Sequence, residues 1–220
     1  MSLLLFDMDG VLVDSAAAFQ ESINVALAFL GRNEVPENQT RNLMGLHINE
    51  WVKKIGIIED REIDSFTLHY RAHNDSYGVS LTNVFPDVKR LLETLSKRFE
   101  LRVATVKPDR SANFLLSSLD LNSYFACIHG SNFPDLHSKS EIVDLAIREY
   151  LELNPNGSVL AMIGDRRQDI EAAKLNGIIS IGVAWGYAMA GELQQAEADF
   201  IANDVGELEN IIDCLDRTTP

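Results

Sequence analysis

Two aspartates two residues apart, Asp7 and Asp9, precede Gly10 in the segment Phe6-Asp7-Met8-Asp9-Gly10-Val11. The run Leu3-Leu4-Leu5-Phe6 ahead of them reads as a short buried strand. Both carboxylates therefore stand at a strand's carboxyl end, where open α/β sheets bind ligands. Alternation carried past the strand would send both side chains to one side, and Gly10 permits a sharp turn. Two close carboxylates repel, so a cation shares the site or one of them holds a proton. The placement recurs in Gly164-Asp165-Arg166-Arg167-Gln168-Asp169, directly after the apolar run 159–163. Asp165 stands at that strand tip, and Asp169 falls near the start of the next helix, where an acidic side chain also offsets the dipole. Oxygen donors of this kind are what Mg²⁺ prefers. Asp7, Asp165 and Asp169 together would supply such a site.

A metal among carboxylates attracts phosphate, and other strand tips carry groups that hold phosphate. Thr105 closes the run 101–105 and offers a hydroxyl and a backbone N–H. Lys139 lies in Ser138-Lys139-Ser140-Glu141, where Ser138 and Glu141 have capping-box spacing. A lysine in a first helical turn opposes the dipole unless an anion lies there. Lys107, two residues after Thr105, competes for the same role, and the sequence leaves the two lysines open.

The elements that must position these groups follow a β-α-β-α rhythm. Apolar runs at 3–6, 101–105, 126–128, 159–163, 178–184 and 200–201 alternate with helical patterns at 88–99, 111–119, 141–151 and 169–176. Unbroken apolar strands indicate a parallel sheet covered on both faces, hence a doubly wound, Rossmann-like α/β core. From Ser15 to Leu81 the periodicity is helical only, with Phe19, Ile23, Ala26, Leu27 and Leu30 on one face and further pieces at 39–44, 48–55 and 62–77. Residues 1–14 and 82–220 thus read as the catalytic core, and 15–81 as an inserted, smaller α-helical cap domain.

With 19 basic against 33 acidic residues, the net charge of the 220-residue chain is −14, which weighs against nucleic acid and anionic membranes as partners. The longest apolar runs fall short of a membrane span, and the N-terminus lacks the basic region of a signal peptide. Cys127 and Cys214, outside any C-x-x-C pattern, read as incidental thiols of a cytoplasmic protein.

In chain order, Asp7-x-Asp9-Gly10, Thr105, Lys139 and Gly164-Asp165-x-x-x-Asp169 resemble the four motifs of the haloacid dehalogenase superfamily. The helical insert resembles the cap of its phosphoglycolate phosphatase-like subfamily. Phe85-Pro86-Asp87-Val88 and Ile181-Gly182-Val183-Ala184-Trp185-Gly186-Tyr187 extend the likeness over nearly the whole chain. The resemblance implies that Asp7 is the nucleophile and forms an aspartyl-phosphate, and that Asp9 is the general acid and base. It implies Mg²⁺ on Asp7, Asp165 and the backbone carbonyl of Asp9, with Asp169 as a ligand or orienting group. Thr105, Lys139, the Val106 backbone and the Gly10 turn would hold phosphate.

Family members that act on halides lack the second Asp, so Asp9 implies phosphoryl chemistry. Val106 stands where the family often has Asn, and Ser140 where close relatives have Pro after the lysine. In the cap, Gly45, His47 and Arg71 are the expected specificity positions. Arg41, Lys53 and Lys54 are further anion contacts weighed against solvated helix faces. Trp185 and Tyr187, after a strand tip, read as core packing, with lining of the site's entrance as the alternative, and His129 receives no role. The expected activity is Mg²⁺-dependent hydrolysis of a small phosphorylated metabolite. A phosphomutase of the β-phosphoglucomutase type is the alternative. A phospho-accepting receiver module is remote, because such modules are about half this length and lack the insert. Substrate identity and oligomeric state are not legible in the sequence.

Overall fold

The computed structural model describes residues 1–46, 48–55, 59–131 and 137–218. In chain order it contains β1 (Leu3–Phe6), β2 (Val13–Asp14), α1 (Ala16–Phe29), α2 (Glu37–Thr40), α3 (Ile48–Ile55), α4 (Ile63–Tyr77), β3 (Asn83–Val84), α5 (Val88–Leu95) and β4 (Glu100–Pro108). There follow α6 (Asp109–Ser118), β5 (Cys127–Ser131), α7 (Lys139–Leu153), β6 (Val159–Gly164), α8 (Arg167–Leu175), β7 (Ile179–Val183), α9 (Glu192–Gln195), β8 (Phe200–Ala202) and α10 (Val205–Thr218). Two compact units result: Met1–Leu12 with Val84–Pro220, and Val13–Asn83. Among the described residues, no helix is long and apolar enough to cross a membrane.

The larger unit is a six-stranded sheet in the order β5-β4-β1-β6-β7-β8, with parallel pairings throughout. After β1 the chain builds the sheet outward on one side through β4 and β5, then returns to the other side at β6. The tip of β1 is therefore the switch point at which such sheets open a crevice. All four β1 residues are fully buried. Leu3 and Leu5 pack with Ile142, Val143, Ala146 and Tyr150 of α7 and with Ala172 and Ala173 of α8. The alternate residues face the other way, where Phe6 meets Phe125 edge-on at 6.2 Å. Burial on both faces is the physical reason the strands read as continuous apolar runs.

Several boundaries differ from the sequence expectation. α5 stops at Leu95, because Ser96 begins a turn that returns the chain to β4 at Glu100. β4 does not end at Thr105; it continues to Pro108, with an irregularity before Pro108 pairs with Ser131. β5 likewise extends to Ser131. The C-terminal α10 follows β8, and its start is fixed by Asp204, whose Oδ1 accepts the Glu207 N–H at 2.8 Å.

The smaller unit is built on α1 and α4, which pack along each other. Ser22 of α1 is fully buried and shares a 3.0 Å hydrogen bond with His73 of α4. Asn74 of α4 donates to the same hydroxyl at 3.3 Å. Phe19 meets Tyr70 edge-on at 5.9 Å.

Candidate active site

Alternation along β1 decides where Asp7 points. Leu3 and Leu5 face α7 and α8, so Asp7, next in that series, faces the N-terminal ends of the same helices. The first residue of α7 is Lys139, and Asp169 lies in the first turn of α8. Lys139 Nζ stands 2.7 Å from Asp7 Oδ1 and 2.8 Å from Asp169 Oδ1, with all three side chains buried. α7 begins there because Ser138 and Glu141 form the expected capping box: the Glu141 carboxylate accepts the Ser138 N–H at 2.7 Å. Asp165, immediately after β6, completes a cluster: one carboxylate oxygen each from Asp7, Asp165 and Asp169 lies within 4.8 Å of the others.

The cluster is held from behind by backbone. Asp165 Oδ2 accepts the Tyr187 N–H at 2.6 Å, and Asp169 Oδ2 accepts the Arg166 N–H at 3.0 Å. Gly10 has φ +85°, and a Cβ there would run into the Asp165 carboxylate. A Cβ on Gly186 would also strike the Asp165 side chain, and the Gly10 carbonyl with it. These two glycines clear the space in which a buried carboxylate stands.

Three carboxylates around one lysine leave a deficit of positive charge. Burial raises the Asp7 carboxyl to about 6; Lys139 opposes that rise, and Asp169 reinforces it. Burial also drives Asp165 well above its ordinary range, helped by Asp169 and Asp7 against the pull of the Tyr187 N–H. For Lys139, burial favours the neutral amine, but Asp169 and Asp7 outweigh it and raise its pKa. Asp165 Oδ1 is buried without a hydrogen-bond partner, and Asp7 Oδ1 is buried with Lys139 close by but outside hydrogen-bond geometry. Orphaned anionic oxygens in an all-oxygen donor set are what a divalent cation would satisfy.

Asp9 does not join this trio. The strand ends at Phe6, so alternation does not carry through, and the Asp9 carboxylate pairs with Lys107 Nζ at 3.4 Å. The two lysines left open by the sequence are thus separated: Lys139 bridges Asp7 and Asp169, and Lys107 accompanies Asp9. Thr105 is buried on β4, beside β1, and its Oγ1 accepts the Lys107 N–H at 3.3 Å. The Val106 carbonyl accepts the Ser131 hydroxyl at 2.7 Å. In the smaller unit, Gly45 turns the chain at φ +82°, and Arg71 is half-buried on α4. Arg41, Lys53 and Lys54 are exposed. His47 lies outside the described residues. Tyr187 is buried, and the half-buried Trp185 donates its indole N–H to the Val11 carbonyl at 3.2 Å.

A supporting network was missed by the sequence reading. Glu192 Oε1 accepts from Arg166 Nε and the Arg167 N–H, each at 2.9 Å, and Oε2 accepts the Met189 N–H at 2.9 Å. Arg166 and Glu192 are both buried, so this ion pair ties the segment that follows Tyr187 to the turn bearing Asp165 and Asp169. Burial alone would raise the Glu192 carboxyl; the Arg167 N–H, the Arg166 guanidinium and the Met189 N–H together hold it below its ordinary value. A lone glutamate 26 residues beyond its arginine carries no local pattern. Only Gly186 and Tyr187, in the family-like run 181–187, hinted that this segment returns to the site.

Comparison with known proteins agrees with this geometry. Residues 4–183 match the family model of the haloacid dehalogenase-like hydrolases. The chain is 29% identical to the tyrosine-protein kinase PtkA of Mycobacterium tuberculosis, over 91% of its own length and 68% of that protein. It is 26% identical to a phosphoglycolate phosphatase of Vibrio parahaemolyticus, covering 96% of each chain. A 5'-nucleotidase of Pseudomonas aeruginosa is 29% identical, over 96% of this chain and 95% of that one. The crystal structure of a predicted phosphatase from Clostridium acetobutylicum superposes with a TM-score of 0.85 at 28% identity, over 96% of this chain and 97% of that one. The chain belongs to the haloacid dehalogenase-like hydrolase family.

Proposed function

We propose that this protein is a Mg²⁺-dependent phosphatase that hydrolyses a small phosphorylated metabolite through an aspartyl-phosphate on Asp7. The observation that carries the reading is the buried cluster of Asp7, Asp165 and Asp169 around Lys139, at the switch point of the sheet. Asp7, Asp165 and Asp169, with the Asp9 carbonyl, would hold Mg²⁺, which when bound supplies positive charge against the nucleophile and the phosphoryl group.

The remaining steps belong to the chain's own groups. The Asp7 carboxylate attacks phosphorus in line, the bond to the leaving oxygen breaks, and Asp9 gives that oxygen its proton. Asp9 then takes a proton from a water molecule, whose oxygen attacks phosphorus, frees phosphate and restores Asp7. Lys139 places its N–H donors beside the nucleophile, and Thr105 offers its hydroxyl from the neighbouring strand. Both stabilise charge that grows on the non-bridging oxygens. Lys107 keeps Asp9 oriented. Gly45, His47 and Arg71 of the inserted unit are the proposed specificity positions.

Phosphoglycolate and nucleoside monophosphates are the first substrates to try, a choice supported by the relatives named phosphoglycolate phosphatase and 5'-nucleotidase. Phosphate release from a panel of small phosphate esters, with Mg²⁺ and with EDTA, tests the proposal. Turnover of at least one ester, lost in EDTA and restored by Mg²⁺, is expected. A panel with no metal-dependent release, or isomerisation of a sugar phosphate without net release, would overturn it.

A further inference from the structure

We propose that Cys127, His129 and Glu149 form a second metal site, selective for a thiophilic divalent ion such as Zn²⁺. One donor atom from each residue lies within 4.8 Å of the other two. Cys127 and His129 are two residues apart on β5 and so share a face of this edge strand, while Glu149 reaches them from α7. Ligand distances of about 2.0–2.3 Å to a common ion are reached from that spacing by small side-chain rotations.

The histidine supplies the independent sign. His129 is buried, Nε2 lies 2.9 Å from Glu149 Oε2, and Nδ1 is buried without a hydrogen-bond partner. With the proton on Nε2, the ring donates to Glu149 and leaves a buried lone pair on Nδ1. With the proton on Nδ1, the lone pair of Nε2 faces a carboxylate oxygen, which cannot donate to it. Each neutral tautomer therefore leaves a lone pair unfilled, and a doubly protonated ring leaves an orphan Nδ1–H. An ion shared with Glu149 through Nε2 would take the lone pair that the Nδ1-protonated tautomer turns toward the carboxylate.

Arg102 is committed chiefly elsewhere. Arg102, paired in register with Cys127, sends Nε and one terminal nitrogen to Glu100 Oε1, each at 2.7 Å. Its other terminal nitrogen donates to the Ala146 carbonyl at 3.2 Å and stays 4.0 Å from Glu149. Arg102 is thereby held chiefly by Glu100, and its ion pair with Glu149 is the longer contact. A thiolate, an imidazole and a carboxylate suit Zn²⁺ and discriminate against Mg²⁺, the reverse of the all-oxygen cluster at Asp7. The ion would tie the edge strand β5 to α7, whose first residue is Lys139.

The test is a Co²⁺ titration of chelator-stripped protein in excess Mg²⁺, which keeps the carboxylate cluster occupied. One equivalent of Co²⁺ is expected to produce a thiolate-to-metal charge-transfer band that stoichiometric Zn²⁺ abolishes. Cys127→Ser should lose the band, and His129→Ala should weaken Co²⁺ binding at least tenfold. Cys214→Ser and Asp7→Asn should both keep it. In the unmodified protein, Zn²⁺ should slow alkylation of Cys127 about tenfold. No thiolate band in the unmodified protein, a band that survives Cys127→Ser, or alkylation indifferent to Zn²⁺ would each overturn the proposal. All three readouts are independent of phosphatase activity, so their failure is distinct from failure of the reading above.

Discussion

At the centre of the sheet and at its outer strands, the same side-chain chemistry is used under opposite conditions. Around β1 and β6, charges meet charges with water excluded: Lys139 with Asp7 and Asp169, and Arg166 with Glu192, all buried. Toward β7 and β8, Asp199 is exposed, and its Oδ2 accepts the Ser180 N–H at 2.8 Å and the Ser180 hydroxyl at 2.7 Å. A buried charge depends wholly on its partners, because no solvent replaces one that is removed. An exposed carboxylate exchanges a lost hydrogen bond for one to water. The difference teaches where substitutions will matter, and three of them probe it.

The largest effect is expected at the centre, and in catalysis. Asp7→Asn removes the proposed nucleophile while keeping its size, so kcat on the best substrate should fall at least about 1,000-fold, roughly 4 kcal/mol of transition-state stabilisation. Thermal stability should hold or rise, since the change removes one of three crowded carboxylates, the one whose pKa burial has raised to about 6. Steady-state kinetics alongside a melting curve checks both parts. Turnover above a thousandth of the original would remove Asp7 from the nucleophile's role, and a large loss of stability would deny that its charge is strained.

The next effect is structural. Glu192→Ala leaves the Arg166 guanidinium buried without its carboxylate and strips acceptors from the Arg167 and Met189 N–H groups. Breaking a buried pair from one side costs about 3–5 kcal/mol. Urea denaturation should show that loss, and Glu192→Gln, which keeps an acceptor oxygen, should lose less. A loss below about 1 kcal/mol for the alanine variant would erase the contrast between centre and rim.

The same contrast explains what was legible in the sequence. Asp7, Asp165, Asp169 and Lys139 sit beside strand tips or helix starts, and strand tips are announced locally by apolar runs and capping residues. Ser138 and Glu141 advertised the start of α7, and with it the place of Lys139. Asp9 was legible as a residue but not in direction, because its side chain lies beyond the end of β1, where period-two alternation stops. Thr105 was legible as chemistry, but the strand around it runs three residues further, since Lys107 and Pro108 continue extended backbone past Val106 without an apolar signature. Glu192 was invisible for a different reason. Its partner is fixed by how the segment after β7 folds back, a tertiary fact with no periodicity to betray it. The Cys127, His129 and Glu149 cluster is similar: two of its members share a strand, and the third arrives from a helix 20 residues later.

The smallest effect is expected at Asp199, and its pH dependence fixes the sign. The Ser180 N–H, aided by the Ser180 hydroxyl and outweighing partial burial, holds the Asp199 carboxyl below its ordinary value of 3.8. A carboxyl depressed by folding adds stability above its unfolded pKa and loses that contribution as pH falls through the folded value. Water screens this site, so Asp199→Asn should cost less than about 1 kcal/mol at neutral pH. The gap between the two proteins should stay constant from neutral pH to about pH 5, then narrow progressively and lose its ionic part near pH 2. Denaturation midpoints measured across that range decide the matter. A cost matching that of Glu192→Ala would place Asp199 with the buried centre. A gap undiminished near pH 2 would assign its contribution to hydrogen-bond geometry alone, since the asparagine differs from the protonated carboxyl in little else.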